Sequence, residues 1–156
     1  DPRSGYLFPR PMRTYRFKVD GEPVPQPRPR VTTRNGMARA YVPASHPIHV
    51  YRQAVALCAK ATGVPCSKGD VHVELDCVFT RPPSHLRKRG GLTSVALPRP
   101  SPDTDNLYKG VADALQGIAY ENDSQVVTHV VSKRYAVGPL PGHTFITLRY
   151  VGGEID

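Results

Sequence analysis

Proline is the feature that most restricts how this chain can fold. The sequence of 156 residues contains 17 prolines, and many of them lie in two stretches, residues 23–29 and 82–102. Because proline lacks an amide hydrogen and restrains the residue before it, neither stretch can form a helix or a central strand. We expect residues 21–30 to be an extended loop and residues 81–102 to be a second, basic loop. The regular elements must lie between these loops.

Hydrophobic periodicity assigns the strands. One strand with a single buried face is predicted by the alternation of Val71, Val73, Leu75, Cys77 and Phe79 with His72, Glu74, Asp76 and Val78. Asn35-Gly36 is a strong signal for a two-residue hairpin turn, here between strands 31–34 and 37–42. Three further strands are predicted, at residues 14–19, 126–137 and 145–151.

Two segments have helical spacing. In the first, Ser45 is expected to cap a helix that Gly63 ends. Its apolar spacing predicts a buried face made of Val50, Ala54, Leu57, Cys58 and Ala61. The second helix begins at Asp103 or Thr104 and ends near Gln116. Its predicted buried face consists of Leu107, Val111, Ala114, Leu115 and Ile118. Strands and helices together predict one compact α+β domain, a mixed β-sheet with two main helices packed on it.

Length and composition narrow the class of protein. A chain of this length with 39% hydrophobic residues suits a single domain. No stretch approaches the roughly 20 apolar residues that a bilayer requires, so no membrane partner is expected. Three cysteines and no secretory leader fit the reducing cytoplasm. Residues 1–11 show no periodicity, and we expect a non-native or disordered extension ahead of a domain at residues 12–156.

Charge is segregated along the chain. The formal net charge is +8, yet residues 23–69 and 77–102 contain no acidic residue, and carboxylates then crowd into residues 103–123. Basic loops attract a polyanion such as nucleic acid, whereas clustered carboxylates repel it unless a divalent cation neutralises them. The combination indicates a nuclease-like site. The alternative is a basic surface beside a solvated acidic helix start.

The second predicted helix also has an acidic face. Asp105, Lys109 and Asp113 recur every four residues, and Asp103 precedes them at the helix start. As structural residues they would complement the helix dipole and form ion pairs one turn apart, each contributing roughly 0.2–0.5 kcal/mol. That explanation accounts poorly for Asp103 and Asp105 together with Asp123, since neighbouring carboxylates repel unless one is protonated or a cation binds. Carboxylate oxygens, water and phosphate are the ligands that Mg²⁺ prefers.

One long motif spans this helix and the turn after it. Residues 102–115 read PDTDNLYKGVADAL, and residues 120–126 read YENDSQV. The motif resembles the signature of the RusA family of Holliday-junction resolvases, which is Asp-x-Asp-Asn-Leu-x-Lys with Asp-Ala-Leu, then an acidic pair before Ser/Ala-Gln-Val. The segment from Gly21 to Arg30 and Lys133 are also similar to phage-type members. The resemblance covers most of residues 14–151 and implies a RusA-like fold.

The resemblance implies a homodimeric endonuclease in the cytoplasm of a bacterial or phage-infected bacterial cell. It would use Mg²⁺, with Mn²⁺ as a substitute, to resolve four-way DNA junctions by paired nicks in DNA recombination and repair. By position, Asp103, Asp105 and Asp123 match the catalytic aspartates that bind the metal, and Lys109 matches the catalytic lysine. Two further residues are candidates for a supporting role, Asn106 and Asp113.

This chain departs from the family at one motif position. The family commonly has Asp-Asp where this chain has Asn122-Asp123. The second position is the one carried over, and Glu121 is the alternative third carboxylate.

The basic segments are the predicted DNA-binding surface, through contacts to phosphates. The candidates are Arg28, Arg30, Arg34, Arg39, Arg87, Lys88 and Arg89. Three other functions stay open: a non-catalytic branched-DNA-binding protein, a flap or single-strand nuclease on the same scaffold, and another Asp-x-Asp enzyme such as a phosphatase. The last class usually carries its motif at the end of a buried strand, whereas Pro100-Ser101-Pro102 precedes it here.

Overall fold

The computed structural model describes residues 12–85 and 101–151. Its strands are β1 (Met12–Asp20), β2 (Arg30–Arg34), β3 (Met37–Tyr41), β4 (Val71–Phe79), β5 (Val126–Tyr135) and β6 (His143–Val151). Its helices are α1 (Ile48–Thr62) and α2 (Thr104–Leu115), and 3₁₀ turns occupy Pro83–His85 and Asp123–Gln125. The α+β fold predicted from the sequence is confirmed. The expected N-terminal extension, residues 1–11, lies outside the described residues.

Four strands form a mixed sheet in the order β1-β6-β4-β5. β6 pairs antiparallel with β1 and with β4, whereas β4 and β5 are parallel. Burial alternates along β4 from Val71 to Cys77, as the sequence predicts, whereas Val78 is buried as well. On the face opposite the buried side chains, charges pair between strands: Arg149 with Glu74 at 2.8 Å, and Arg134 with Asp76 at 3.0 Å. This outer face is therefore polar, and the core lies on the other side of the sheet.

Helix α1 turns a different face to the core from the one predicted. Val50 and Leu57 are exposed, and the buried residues are Ile48, Tyr51, Val55 and Ala59. The predicted stripe was thus displaced by one residue, or about 100° around the axis. The spacing of apolar residues did not identify this face because Tyr51 was not counted as apolar. Its hydroxyl forms a buried hydrogen bond with Thr144 Oγ1 at 2.9 Å, and this bond allows the ring to be buried in the core.

The predicted cap of α1 is also wrong. Pro47 occupies the N-cap position, and no side chain caps the helix there. His46 Nδ1 instead accepts a hydrogen bond from the Ile48 amide at 3.1 Å. Gly63 ends the helix as predicted, with a left-handed backbone conformation (φ 80°).

Helix α2 has its predicted bounds and buries Leu107, Val111 and Leu115 as expected. Gly110 is buried too, because the loop at residues 21–29 crosses it closely. A Cβ atom at Gly110 would lie 3.4 Å from the Val24 carbonyl oxygen of this loop and 3.1 Å from Ile48 Cδ1 of α1. The loop predicted at residues 21–30 therefore packs on α2. Of the second predicted loop, residues 86–100 lie outside the described residues. Within the described residues, neither helix is long and apolar enough to cross a membrane.

Strands β2 and β3 form the predicted hairpin as a separate two-stranded sheet. Asn35 (φ 53°) and Gly36 (φ 75°) both have positive φ at the turn, as a tight hairpin turn requires. Every residue of the two strands is exposed. The hairpin therefore lies outside the hydrophobic core.

Candidate active site

The start of α2 carries two exposed aspartates. Asp103 is the N-cap residue, with extended backbone (φ −68°, ψ 145°), but its side chain makes no capping hydrogen bond. Asp105 lies in the first turn, and both side chains are exposed. An aspartate at this position normally accepts a hydrogen bond from a helix amide. Here the Asp103 carboxylate remains available for another partner.

Strand β5 holds the start of α2 in place. Lys133 Nζ donates a hydrogen bond to the Pro102 carbonyl oxygen at 2.9 Å, directly before Asp103. Further along, the ring of Tyr108 stacks on the ring of His129 with centroids 3.9 Å apart. The start of α2 thus lies near the end of β5 and the middle of α2 near the middle of β5. The helix and strand therefore run antiparallel, and the turn before β5 lies towards the end of α2.

Asp123 lies in the 3₁₀ turn before β5, which is capped by the side chains of Asn122 and Gln125. Asn122 Oδ1 accepts a hydrogen bond from the Ser124 amide at 3.0 Å. Gln125 Oε1 accepts from the amides of Glu121 and Asn122 at 2.9 Å each, and Gln125 Nε2 donates to the Ser67 carbonyl oxygen at 2.7 Å. The Asp123 side chain is exposed and is not used to build the turn.

Asp123 acts electrostatically on a residue of α2. Burial raises the pKa of Tyr108, and the negative charges of Asp123 and Asp113 raise it further, so both carboxylates lie close enough to act on the tyrosine hydroxyl. Within residues 12–85 and 101–151, no three His, Cys, Asp or Glu side chains are grouped closely enough to hold a metal ion. Asp103, Asp105 and Asp123 therefore do not form one ready-made ligand group in this chain.

The donor chemistry at the start of α2 nevertheless fits Mg²⁺. This ion is usually bound by one or two protein carboxylates, and waters and substrate phosphate complete its coordination. Asp103 and Asp105 supply two exposed carboxylates only two residues apart. The fit is thus to an ion shared with a phosphate ligand, not to a cage of protein ligands.

Lys109 and Asp113 belong to a network that reaches α1 and the loop at residues 21–29. Lys109 Nζ lies 3.1 Å from Asp113 Oδ1, which confirms the ion pair that spacing on the helix allowed. Arg52 Nη2 of α1 lies 2.9 Å from Asp113 Oδ2 and also donates to Gln26 Oε1. The backbone N–H of Gln26 in turn donates to the backbone carbonyl oxygen of Asn106 at 2.9 Å.

The hairpin gathers arginines on one of its faces. Arg30 lies opposite Tyr41, and Arg39 lies opposite Thr32. Because side chains alternate along each strand, these residues share a face with Arg34. The other face has small side chains only, at Val31, Thr33, Ala38 and Ala40. Arg28 is exposed in the preceding loop, and three candidates lie outside the described residues: Arg87, Lys88 and Arg89.

Sequence reasoning missed several residues that position this site. Gln125 belongs to the RusA signature segment YENDSQV. Its presence in that signature was the one sign that it has a structural role. The family likeness of Lys133 does not by itself assign a role to this residue. No local signal could identify Arg52 or Gln26, because their partners are distant in the sequence.

Comparison with known proteins agrees with the motif. The sequence model of the family described as "Endodeoxyribonuclease RusA" matches residues 20–149. The chain is also 39% identical over 134 residues to the "Uncharacterized protein YqaN" of Bacillus subtilis (strain 168), a match covering 82% of this chain and 92% of that protein. The family match includes α2, the turn before β5 and the arginine-bearing hairpin. The chain therefore belongs to the RusA family of Holliday-junction endodeoxyribonucleases.

Proposed function

We propose that this chain is a Mg²⁺-dependent endonuclease that resolves four-way DNA junctions by paired nicks in recombination and repair. It would act as a homodimer in the cytoplasm, with residues 12–156 as the endonuclease domain and residues 1–11 outside it. The observation that carries the proposal is the start of α2. There, Asp103 and Asp105 keep exposed carboxylates, and Asp105 lies one turn before Lys109, in a chain of the RusA family.

Asp103 and Asp105 would hold the ion. Asp123 would add a third carboxylate only if it moves towards the start of α2, because the three carboxylates are not grouped within the described residues. Mn²⁺ can replace Mg²⁺ because it accepts the same oxygen donors. The ion, when bound, activates a water and offsets the negative charge that develops at the scissile phosphate. The Lys109 ammonium would neutralise a non-bridging phosphate oxygen or the leaving oxygen. Lys133 keeps the start of α2 in place through the Pro102 carbonyl.

The hairpin would bind one arm of the junction. The face with Arg30, Arg34 and Arg39 is fully exposed, and guanidinium groups bind phosphate oxygens in pairs of hydrogen bonds. Arg28 would extend this contact along the loop. We assign a second arm to the basic segment Arg87-Lys88-Arg89. Such contacts fix the position of the protein on DNA and carry no base sequence information.

A homodimer suits this substrate because a four-way junction has approximate two-fold symmetry. Two copies related by a two-fold axis would place two equivalent active sites on two strands. Resolution into two duplexes requires a nick in each of those strands. One copy alone would leave the junction cut once.

The test is a cleavage assay on a labelled four-way junction beside a linear duplex with the same sequence. Wild type and Asp105→Asn are compared in Mg²⁺ and in EDTA. We expect nicks in the junction alone, lost in EDTA and in the variant. Asp105→Asn should bind the junction as tightly as wild type or more tightly, because a charge that repels phosphate is removed.

Three results would contradict the proposal in different ways. Cleavage retained by Asp105→Asn would refute the site. Binding without any cut in Mg²⁺ or Mn²⁺ would leave a branched-DNA-binding protein. Equal cutting of flaps or single strands would make the chain a nuclease of broader substrate range.

A further inference from the structure

Lys109 lies midway between two aspartates on the same stripe of α2. Asp105 is one turn before it and Asp113 is one turn after it. In an isolated helix, a base pairs better with an acid four residues before it than with one four residues after it. Local preference therefore favours Asp105, yet Lys109 Nζ lies 3.1 Å from Asp113 Oδ1.

An ion pair between Arg52 of α1 and Asp113 explains why Lys109 pairs with Asp113. Arg52 of α1 places Nη2 2.9 Å from the second oxygen of Asp113, so Asp113 is fixed between two cations. The Asp113 side chain is only 28% exposed, whereas that of Lys109 is 58% exposed. A fixed, half-buried carboxylate attracts the ammonium more strongly than an exposed one, because solvent screens it less.

Arg52 is itself held from the opposite side. It donates to the side-chain oxygen Oε1 of Gln26. The backbone N–H of Gln26 donates to the backbone carbonyl oxygen of Asn106 in α2 at 2.9 Å. Arg52 Nε is buried without an acceptor among the described residues, which is a cost that the contacts of Nη2 must offset. The loop at residues 21–29 thus fixes Arg52, and Arg52 fixes Asp113.

We propose that Asp113 and Arg52 are positioning residues that hold the Lys109 ammonium away from Asp105. The carboxylates of Asp103 and Asp105 then stay free to take a divalent cation. This inference rests on the proposed function, because it concerns the same cation. Without Asp113, Lys109 would turn back to Asp105 and neutralise an oxygen that the cation needs. Asp113 is accordingly neither a metal ligand nor a catalytic residue in this account.

The experiment is a double-mutant cycle read by direct binding of Mn²⁺ to the DNA-free protein, followed by electron paramagnetic resonance. Asp113→Asn should weaken Mn²⁺ binding about two- to five-fold, which is the size expected of one exposed ion pair that competes. In a Lys109→Met background the same substitution should have no effect, since no ammonium remains to compete. Asp113→Glu should restore binding because it keeps the anionic partner.

Two further variants serve as controls. Asp105→Asn should abolish the binding, which assigns the signal to the start of α2. Asp76→Asn removes one negative charge from a carboxylate that is 27% exposed and paired with Arg134, but on the outer face of the sheet. It should leave Mn²⁺ affinity unchanged, so a general loss of charge would be recognised.

Equal weakening by Asp113→Asn in both backgrounds would overturn the inference, because Asp113 would then act as a plain negative charge. No weakening in the wild-type background would overturn it as well. If wild type binds no Mn²⁺ without DNA, the inference fails, since there is no cation for the free carboxylates to take. The proposed function is judged separately, by junction cleavage in Mg²⁺.

Discussion

Asp103 and Asn122 both occupy N-cap positions, but only one of the two side chains makes a capping hydrogen bond. Asp103 occupies an N-cap position and makes no capping hydrogen bond, although such a bond is worth about 1 kcal/mol. Asn122 also occupies an N-cap position, and its side chain does accept from the Ser124 amide. The cap before β5 thus leaves Asp123 free, and the missing cap at α2 leaves Asp103 free. In both cases an aspartate carboxylate stays out of the capping hydrogen bonds.

The cap at Asn122 gives a prediction at this scale. Asn122→Ala should lower the free energy of unfolding by about 1 kcal/mol, because the Ser124 amide loses its acceptor. Asn122→Asp should keep both stability and junction cleavage, since a carboxylate oxygen can accept the same hydrogen bond. Urea unfolding of the three proteins measures the difference. An aspartate variant as unstable as the alanine variant would contradict the capping role.

In α2, β4 and the hairpin, the period of the element decides which side chains share a face. Helix α2 buries one stripe, which includes Leu107 and Val111, and exposes another with Asp105 and Lys109. The hairpin does the same with a period of two, since its arginines share one face. In β4 the inward positions are buried, and Cys77 is among them.

The arginine face of the hairpin should set the salt dependence of junction binding. Replacing Arg30, Arg34 or Arg39 by Gln should reduce the slope of log Kd against log salt concentration by about one for each phosphate that the protein no longer neutralises. Arg149→Gln is the matched control, because Arg149 is paired with Glu74 on the outer face of the sheet. Slopes that stay unchanged in all three hairpin variants would exclude this face as a phosphate-binding surface.

Strand β4 makes a prediction about thiol reactivity. Burial, with a further contribution from the Asp76 charge, raises the pKa of Cys77 to about 12. Only the thiolate reacts, so Ellman's reagent at about pH 8 should modify the partly exposed Cys58 and Cys66 in the native protein. Cys77 should react only after unfolding. Three thiols reacting at one native rate would contradict the burial of β4.

The same shift gives a pH dependence with a definite sign. The pKa of Cys77 is higher in the folded protein than the ordinary value of 9.0. Folding therefore favours the neutral thiol, whose contribution to stability is complete below about pH 9 and is lost as the pH rises towards 12. Urea unfolding at several alkaline pH values should show this loss. The loss should be smaller in Cys77→Ser.

At the scale of the whole molecule, the sequence predicted those features of the fold that are determined by residues close together in the chain. Proline placement, alternation and the Asn35-Gly36 turn are local, and the elements they predicted are present. The buried face of α1 was predicted wrongly because it depends on Thr144, which accommodates the hydroxyl of Tyr51. Likewise, no pattern could pair Arg52 with Asp113, because the two residues meet only when α1 packs on α2.

Charge also acts at this scale. A net charge of +8 favours association with DNA as a whole, whereas the acidic start of α2 opposes it locally unless a cation binds. If the proposed function is correct, binding of a cation at the start of α2 would remove this local repulsion.

The most direct measurement uses a supercoiled plasmid that extrudes a cruciform, with the products separated by gel electrophoresis. Paired nicks across the four-way junction convert the plasmid to its linear form, whereas a single nick gives an open circle. We expect wild type in Mg²⁺ to give linear plasmid, and Asp105→Asn to leave it supercoiled. Open circles that never become linear, or linear plasmid formed by Asp105→Asn, would contradict resolution by paired nicks at the start of α2.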